Sequence, residues 1–393
     1  MNVMFVAIYP IVPSVGGVQR VTDVLAKELQ SRGHTVIFVT YSRKHLMSYA
    51  NFSAPQYYVE INERASDDIK NEIDEIILKH KIEVVISQNF CNVHFLRFLP
   101  KRVKIVSVCH VQPFLGDSIT RNQLLNMKAK GYRALLRKWL YLISPSFQQM
   151  FNSNEIKLYK ETFEISSMVC FISNRFFHRV LKHLPQIDKS KLCAIANPNT
   201  FSNSISISPN SKENIILWVG RVENSGKNTI GFIKAWQRIA NMFPEWKAII
   251  IGEGEDLKYN VEYVNQHKIC NIEFLGRIDN VESWYKKAKY VVITSWSESW
   301  CMAITEGMEF GCVPIVYNTY ETISDLITNK ETGFKVEPNV KDLARTLEFA
   351  FRNDALRYRM SKNAMSAVRK YDVSNIASQW EQLLMNACYG KNL

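Results

Sequence analysis

Apolar residues fall along this chain in short unbroken runs, separated by stretches whose apolar positions recur every three or four residues. Run 3–8 leads into a Pro/Gly-rich loop, Pro10 to Gly17, and then into 18–32, where Val21, Val24, Leu25 and Leu29 share one helical face. That order predicts strand, loop and amphipathic helix. Gly33 closes the helix, and TVIFVT (35–40) is the next strand. A helix over 67–80 follows, with strands at VVIS (84–87), KIVSVCHV (104–111) and SMVCFIS (167–173). Strands that are apolar throughout, with helices between them, predict a parallel doubly wound sheet covered on both faces.

The pattern then stops and restarts. Residues 202–212, SNSISISPNSK, are small and polar and read as a linker. A second series follows: NIILWVGR (214–221), helix 228–243, WKAIIIGEG (246–254), helix 256–268, IEFLGR (272–277), helix 281–288, YVVITS (290–295), helix 302–310 and VPIVY (313–317). A helix at 340–351 and a helical tail at 374–387 end the chain. The expected organisation is an α/β domain over 1–202 and a second over 203–373, with 374–393 packing back on the first. Two such domains would leave a cleft between the carboxyl ends of their sheets, a geometry suited to a ligand gripped from two sides.

Composition narrows the class. A hydrophobic fraction of 47% over 393 residues provides for two packed cores and excludes wholesale disorder. The eight cysteines form no CxxC pair and no metal-ligand spacing, as expected of a reducing, cytoplasmic setting without disulfides or zinc. MNVMFVAIYPIV lacks a basic n-region and a cleavage site and reads as a first strand, and no apolar run reaches membrane-spanning length. Nearly all of the net charge of +12 lies before residue 200, as expected if that half meets an anionic partner, although a solvated basic face reads the same way.

Three segments carry candidate chemistry. In SWSESWCMAITEG, Glu298 precedes Glu306 by an E-x7-E spacing that straddles a strand end and a helix start. Backbone N–H groups from Ser299, Trp300, Cys301 and Met302 can hold phosphate oxygens there, and Glu306, one turn in, can accept from a ribose diol. In VGRVENSGKN, Arg221 and Lys227 place two cations on a loop after a strand, where they can clamp a diphosphate and stabilise a departing nucleotide. In PSVGGVQR, Gly16 and Gly17 sit at a strand-to-helix junction that admits close approach of a substrate. Each pattern alone is common on protein surfaces; their combination is not.

Taken in order, GGVQR, GRVENSGK, IIIGEGED, FLGRI, ESWCMAITE, GCVPIV and ETGFKVEP resemble the retaining GT-B glycosyltransferases of family 4. The resemblance spans essentially the whole chain and is strongest across 214–335. It implies the GT-B fold: two facing Rossmann-like doubly wound parallel-sheet domains with an interdomain cleft. It implies transfer of a hexose-type sugar from a nucleotide diphosphate sugar, UDP-linked by family frequency, without a metal or other cofactor. By position, Arg221 and Lys227 would neutralise the donor diphosphate, Glu306 would bind the ribose, and Glu298 would face the donor sugar. The main chain at Arg277 and Ile278 would meet the base, and His110 would lie beside the transferred sugar. The implied catalytic set is thus His110, Arg221, Lys227 and Glu298. Two departures stand out. Glu298-Ser299-Trp300-Cys301 stands where the family usually carries glycines after the first glutamate, in an EGFG-like run, and Gln88 and Asn89 stand where a histidine often follows its strand.

Residues 121–143 hold Arg121, Lys128, Lys130, Arg133, Arg137 and Lys138 with no acidic residue. In helical projection over 124–143 the cations oppose a stripe of Tyr132, Leu135, Leu136, Trp139, Leu140 and Ile143. Two readings fit, a helix lying on an anionic membrane surface and a helix packed into the first domain. No recognition motif points to nucleic acid. The expected function is sugar transfer to a glycan or lipid-linked glycan in surface-polysaccharide synthesis, on the cytoplasmic side and peripherally on the membrane. A nucleotide-sugar epimerase and a non-catalytic sugar-nucleotide module are the competing readings. A nicotinamide oxidoreductase would need G-x-G-x-x-G after its first strand, and SVGGVQR does not supply it.

Overall fold

The computed structural model describes residues 1–42, 51–61, 65–89, 92–115, 136, 139, 145–201 and 209–390. The chain divides into two units, one of 1–118, 144–200 and 371–393 and the other of 119–143 and 201–370. Most of the basic segment 121–143 and most of the linker lie outside the described residues. Leu136 and Trp139 are helical and exposed.

The first unit is a seven-stranded sheet: β1 (Asn2–Ala7), β2 (Thr35–Thr40), β3 (Gln56–Tyr58), β4 (Val84–Ser87), β5 (Lys104–Cys109), β6 (Met168–Phe171) and β7 (Leu192–Ala194). All pairings are parallel, in the order β3-β2-β1-β4-β5-β6-β7. The chain winds outward from β1, returns to its other side at β4 and winds out again, so the order reverses between β1 and β4. Val3, Met4, Phe5 and Val6 are wholly buried, which is why the run is continuous and does not alternate. Helix α1 (Gly17–Ser31) turns Val21, Leu25 and Leu29 inward. Helix α2 (Ser66–His80) buries Ile69, Ile73, Ile76 and Ile77 in a core with Met4, Val6, Ile37 and Val85. The remaining helices of this unit are α3 (Val93–Leu96), α4 (Pro145–Ile165), α5 (Phe177–His183) and the C-terminal helix, Val373–Tyr389. That last helix is tied to the end of α1 through Glu381, which takes Arg32 at 2.7 Å and His34 at 2.8 Å.

The second unit repeats the plan with β8 (Glu213–Val219), β9 (Lys247–Ile251), β10 (Ile272–Gly276), β11 (Ala288–Ile293), β12 (Val313–Tyr317) and β13 (Phe334–Val336), ordered β10-β9-β8-β11-β12-β13 and parallel throughout. Among the described residues its helices include α6 (Thr229–Ile239), α7 (Leu257–Gln266), α8 (Glu282–Lys287), α9 (Met302–Glu309), α10 (Ile323–Leu326), α11 (Val340–Phe351) and α12 (Asp354–Val368), and the C-terminal helix is numbered α13. Trp236, Trp246 and Phe351 anchor its core, with the Trp246 and Phe351 rings stacked at 3.7 Å. The strand order reverses between β8 and β11, which places the loops 220–228 and 294–301 on either side of this switch point, where α/β sheets bind ligands.

Candidate active site

Lys227 leaves the β8–α6 loop and meets Glu298 from the β11–α9 loop, Nζ to Oε1 at 2.5 Å. Ser295 Oγ donates to the same carboxylate oxygen at 2.8 Å. The lysine side chain is 31% exposed and that of the glutamate 13%, so the pair is partly shielded from water and more open on the lysine side. Burial alone pulls the Lys227 pKa down, but the charge and hydrogen bond of Glu298 outweigh it and leave the group above its ordinary value.

The two loops are stitched together. Trp296 N donates to Gly226 O at 2.8 Å. Thr294 Oγ1 lies 3.1 Å from the Lys227 carbonyl and 2.9 Å from that of Asn228, and accepts the Trp218 indole N–H at 3.1 Å. From the other side the buried Asp256 carboxylate accepts Asn224 N at 2.7 Å, and Asn260 exchanges amide hydrogen bonds with the Asn224 side chain at 3.0 and 3.2 Å. The β9 loop reaches this position only because it lacks side chains there. A Cβ on Gly252, whose φ is +140°, would stand 1.8 Å from Gly220 O, and one on Gly254 would stand 2.2 Å from Val222 O. Thr294, Ser295, Asn224, Asp256 and Asn260 therefore build the loop, although sequence reading assigned none of them a part.

Arg221 lies on the same loop but apart from that pair. Its side chain is 74% exposed, with Glu223 at 3.8 Å as the nearest carboxylate. Beyond Glu298, Ser299 is half-buried and Trp300 turns inward, only 4% exposed. Cys301 adopts φ +62° and caps α9 without a side-chain hydrogen bond, its carbonyl accepting Ile304 N at 3.1 Å. Burial, then the Glu298 charge, pushes the Cys301 thiol above its ordinary pKa, so it stays protonated. In this departure from the glycine-rich run Trp300 is buried and Cys301 takes a left-handed backbone. Glu306, in the second turn of α9, is 3% exposed, and its Oε2 accepts the Tyr285 hydroxyl at 3.1 Å. Arg277 is exposed and Ile278 half-buried at the end of β10, whose Gly276 carbonyl takes Gly252 N at 2.8 Å.

The first unit carries the other candidates at the carboxyl end of its own sheet. His110 stands one residue beyond β5, which ends at Cys109 and not at residue 111, because the chain leaves the ladder there. Its Nε2 lies 2.6 Å from Oε1 of Gln88, the residue just after β4. Burial drives the His110 pKa down to about 4, against a partly offsetting hydrogen bond with Asn197, so the imidazole is neutral near pH 7 and Gln88 accepts from its N–H. Gly16 caps α1 in extended backbone, and Gly17 is exposed at its first turn.

The structure is that of the GT-B class. It superposes on Anabaena Alr3699/HepE, solved in complex with UDP and glucose, with a TM-score of 0.73 and 14% identity over 98% of this chain and 100% of that one. The family model described as Glycosyltransferase Family 4 matches residues 15–198, and that described as Glycosyl transferases group 1 matches 201–367. The chain belongs to the family 4 glycosyltransferases of the GT-B fold. Among curated relatives it is 30% identical over 193 residues to the Campylobacter jejuni GalNAc-alpha-(1->4)-GalNAc-alpha-(1->3)-diNAcBac-PP-undecaprenol alpha-1,4-N-acetyl-D-galactosaminyltransferase, covering 48% of this chain and 53% of that one. It is 21% identical to the N-acetyl-alpha-D-glucosaminyl L-malate synthase of Bacillus anthracis over 94% of each. The matched stretch spans about half the length of the first of these relatives.

Proposed function

We propose that this protein is a retaining glycosyltransferase that moves a hexose-type sugar from a UDP-sugar to a glycan or lipid-linked glycan acceptor. The observation that carries the reading is the convergence of Lys227, Glu298 and the start of α9 at the switch point of the second sheet. A cation beside a helix N-terminus is where a diphosphate gains most, and a carboxylate one step away suits sugar hydroxyls. Relatives support the chemistry: one carries an aminosugar transferase name with an undecaprenol-linked substrate, and Alr3699/HepE was solved with UDP and glucose.

In this mechanism the bond from the sugar C1 to the β-phosphate oxygen breaks and one from C1 to the acceptor oxygen forms on the same face. The acceptor proton passes to the departing diphosphate. Lys227, Arg221 and the amides of Ser299 to Met302 stabilise the charge that develops there, so no metal is required. Arg221 has to swing in from its exposed position. Glu306 takes the ribose, the main chain at Arg277 and Ile278 the base, and neutral His110 a hydroxyl of the transferred sugar. Gly16 and Gly17 leave room for the donor at the start of α1. The basic segment 121–143 brings the protein to an anionic, cytoplasmic membrane face. Among the described residues no helix is long and apolar enough to cross a membrane.

The test is UDP release from a panel of UDP-sugars, with and without a glycolipid acceptor mixture and in the presence of EDTA. Acceptor-dependent release that survives EDTA supports the reading. Turnover of UDP-sugar to an isomer without acceptor would point to epimerisation, and no nucleotide binding at all would reduce the chain to another role.

A further inference from the structure

We propose that Tyr285 is a positioning residue that aims the Glu306 carboxylate and thereby sets the ribose preference of the donor site. The inference rests on the reading above that Glu306 receives the ribose, and adds a residue nothing else points to. Tyr285 is wholly buried on α8, and Glu306 is nearly so on α9; the 3.1 Å bond from the phenol to Oε2 joins two elements that share no other described side-chain hydrogen bond.

Packing does not explain the hydroxyl. The Tyr285 ring is flanked by Phe310, in parallel at 6.2 Å, and by Phe201, edge-on at 6.3 Å, an environment that a phenylalanine would fill equally well. Burying a hydroxyl against a buried carboxylate is costly unless each satisfies the other. Burial, then the Glu306 charge, raises the Tyr285 pKa well above its ordinary value, so the phenol remains a donor across the working pH range. Its backbone is clamped from behind: Lys212 Nζ donates to the Tyr285 carbonyl at 2.7 Å, and Cys312 Sγ to the same oxygen at 3.1 Å. The donor is therefore fixed in place and in protonation state. A carboxylate whose Oε2 is held by a fixed donor has less rotational freedom than one that is not. For a group that must meet a diol, this pre-orders the hydrogen bonds before the nucleotide arrives.

The experiment compares binding of UDP and 2′,3′-dideoxy-UDP by calorimetry in the full chain, as wild type, Tyr285→Phe, Glu306→Gln and the double variant. The wild type is expected to favour UDP by roughly tenfold or more, the range of a hydrogen bond to a charged group. In Tyr285→Phe that ratio should fall to about threefold or less while dideoxy-UDP binds nearly as before, and the double variant should lose no more than Glu306→Gln alone. Equal weakening of both nucleotides in Tyr285→Phe, with the ratio kept, makes the residue merely structural and overturns the proposal. A wild type that binds neither nucleotide instead overturns the underlying reading of the site.

Discussion

The Lys227–Glu298 contact makes a prediction that runs against intuition: removing a residue of the donor site should tighten nucleotide binding. The ammonium is already engaged by a carboxylate at 2.5 Å, which a diphosphate has to displace. Exposed ion pairs are worth about 0–1 kcal/mol, whereas breaking a fully buried one costs roughly 3–5 kcal/mol. With 31% of the lysine side chain and 13% of the glutamate exposed, the pair falls between these limits, at about 1–2 kcal/mol. Glu298→Gln keeps the shape and removes the charge, so UDP should bind about 5–30-fold more tightly. The same change leaves a mostly buried ammonium without its counterion, and the unliganded protein should lose a comparable amount of stability. Lys227 has a raised pKa in the folded state. Its stabilising contribution is therefore present below the ordinary lysine value and lost as pH rises through the elevated one, and in Glu298→Gln, where burial is left to pull the pKa down, this alkaline loss should disappear. Calorimetric titration with UDP, paired with thermal unfolding with and without UDP, reads both effects. UDP affinity in Glu298→Gln equal to or below wild type would refute the exchange of one anion for the other.

Lys227→Ala should cut the transfer rate by roughly 10²–10³ while the circular dichroism spectrum stays native; near-normal turnover would count against the leaving-group role. Gly252→Ala should destabilise the second unit by more than about 2 kcal/mol in denaturant titration and weaken UDP binding with it, since its Cβ would overlap Gly220 O; unchanged stability contradicts the loop geometry. His110 has a folded pKa near 4, below its unfolded value. Its contribution is complete above about pH 6.5 and is lost as pH falls toward 4, up to roughly 3 kcal/mol, and His110→Gln should flatten that part of the denaturation-midpoint profile. Vesicles of anionic lipid should bind the protein more than neutral ones, with binding that weakens in salt; indifference to lipid charge would remove the membrane assignment of 121–143.

How much of this was legible in the chain follows from where the constraints are local. Strands such as VVIS and VPIVY are buried on both faces, so they appear as apolar runs whatever surrounds them, and ten of the thirteen strands among the described residues show as such runs. The three that do not, β3, β7 and β13, are three residues long and lie at or near a sheet edge, too short to leave a run. Helix α12 was invisible for a different reason: the residues it buries include Arg357 and Ser361 beside Met360, Ala364 and Val368, and Arg357 is held by Asp354 and the Pro209 carbonyl. A buried, paired cation reads in sequence as a surface one. The site divides along the same line. Lys227, Glu298 and Glu306 lie on loops and a helix start whose spacing is fixed by few residues, so a linear pattern finds them. Their supports do not share that property. Thr294, Asp256, Asn260 and Tyr285 act across 21 to 67 residues of chain, from separate strands and helices, and single hydroxyls, carboxylates and amides of this kind occur everywhere. What sequence supplies is the chemistry that touches the ligand; the chemistry that aims it becomes visible only when the parallel sheet sets β8, β9 and β11 side by side and delivers their loops to one end.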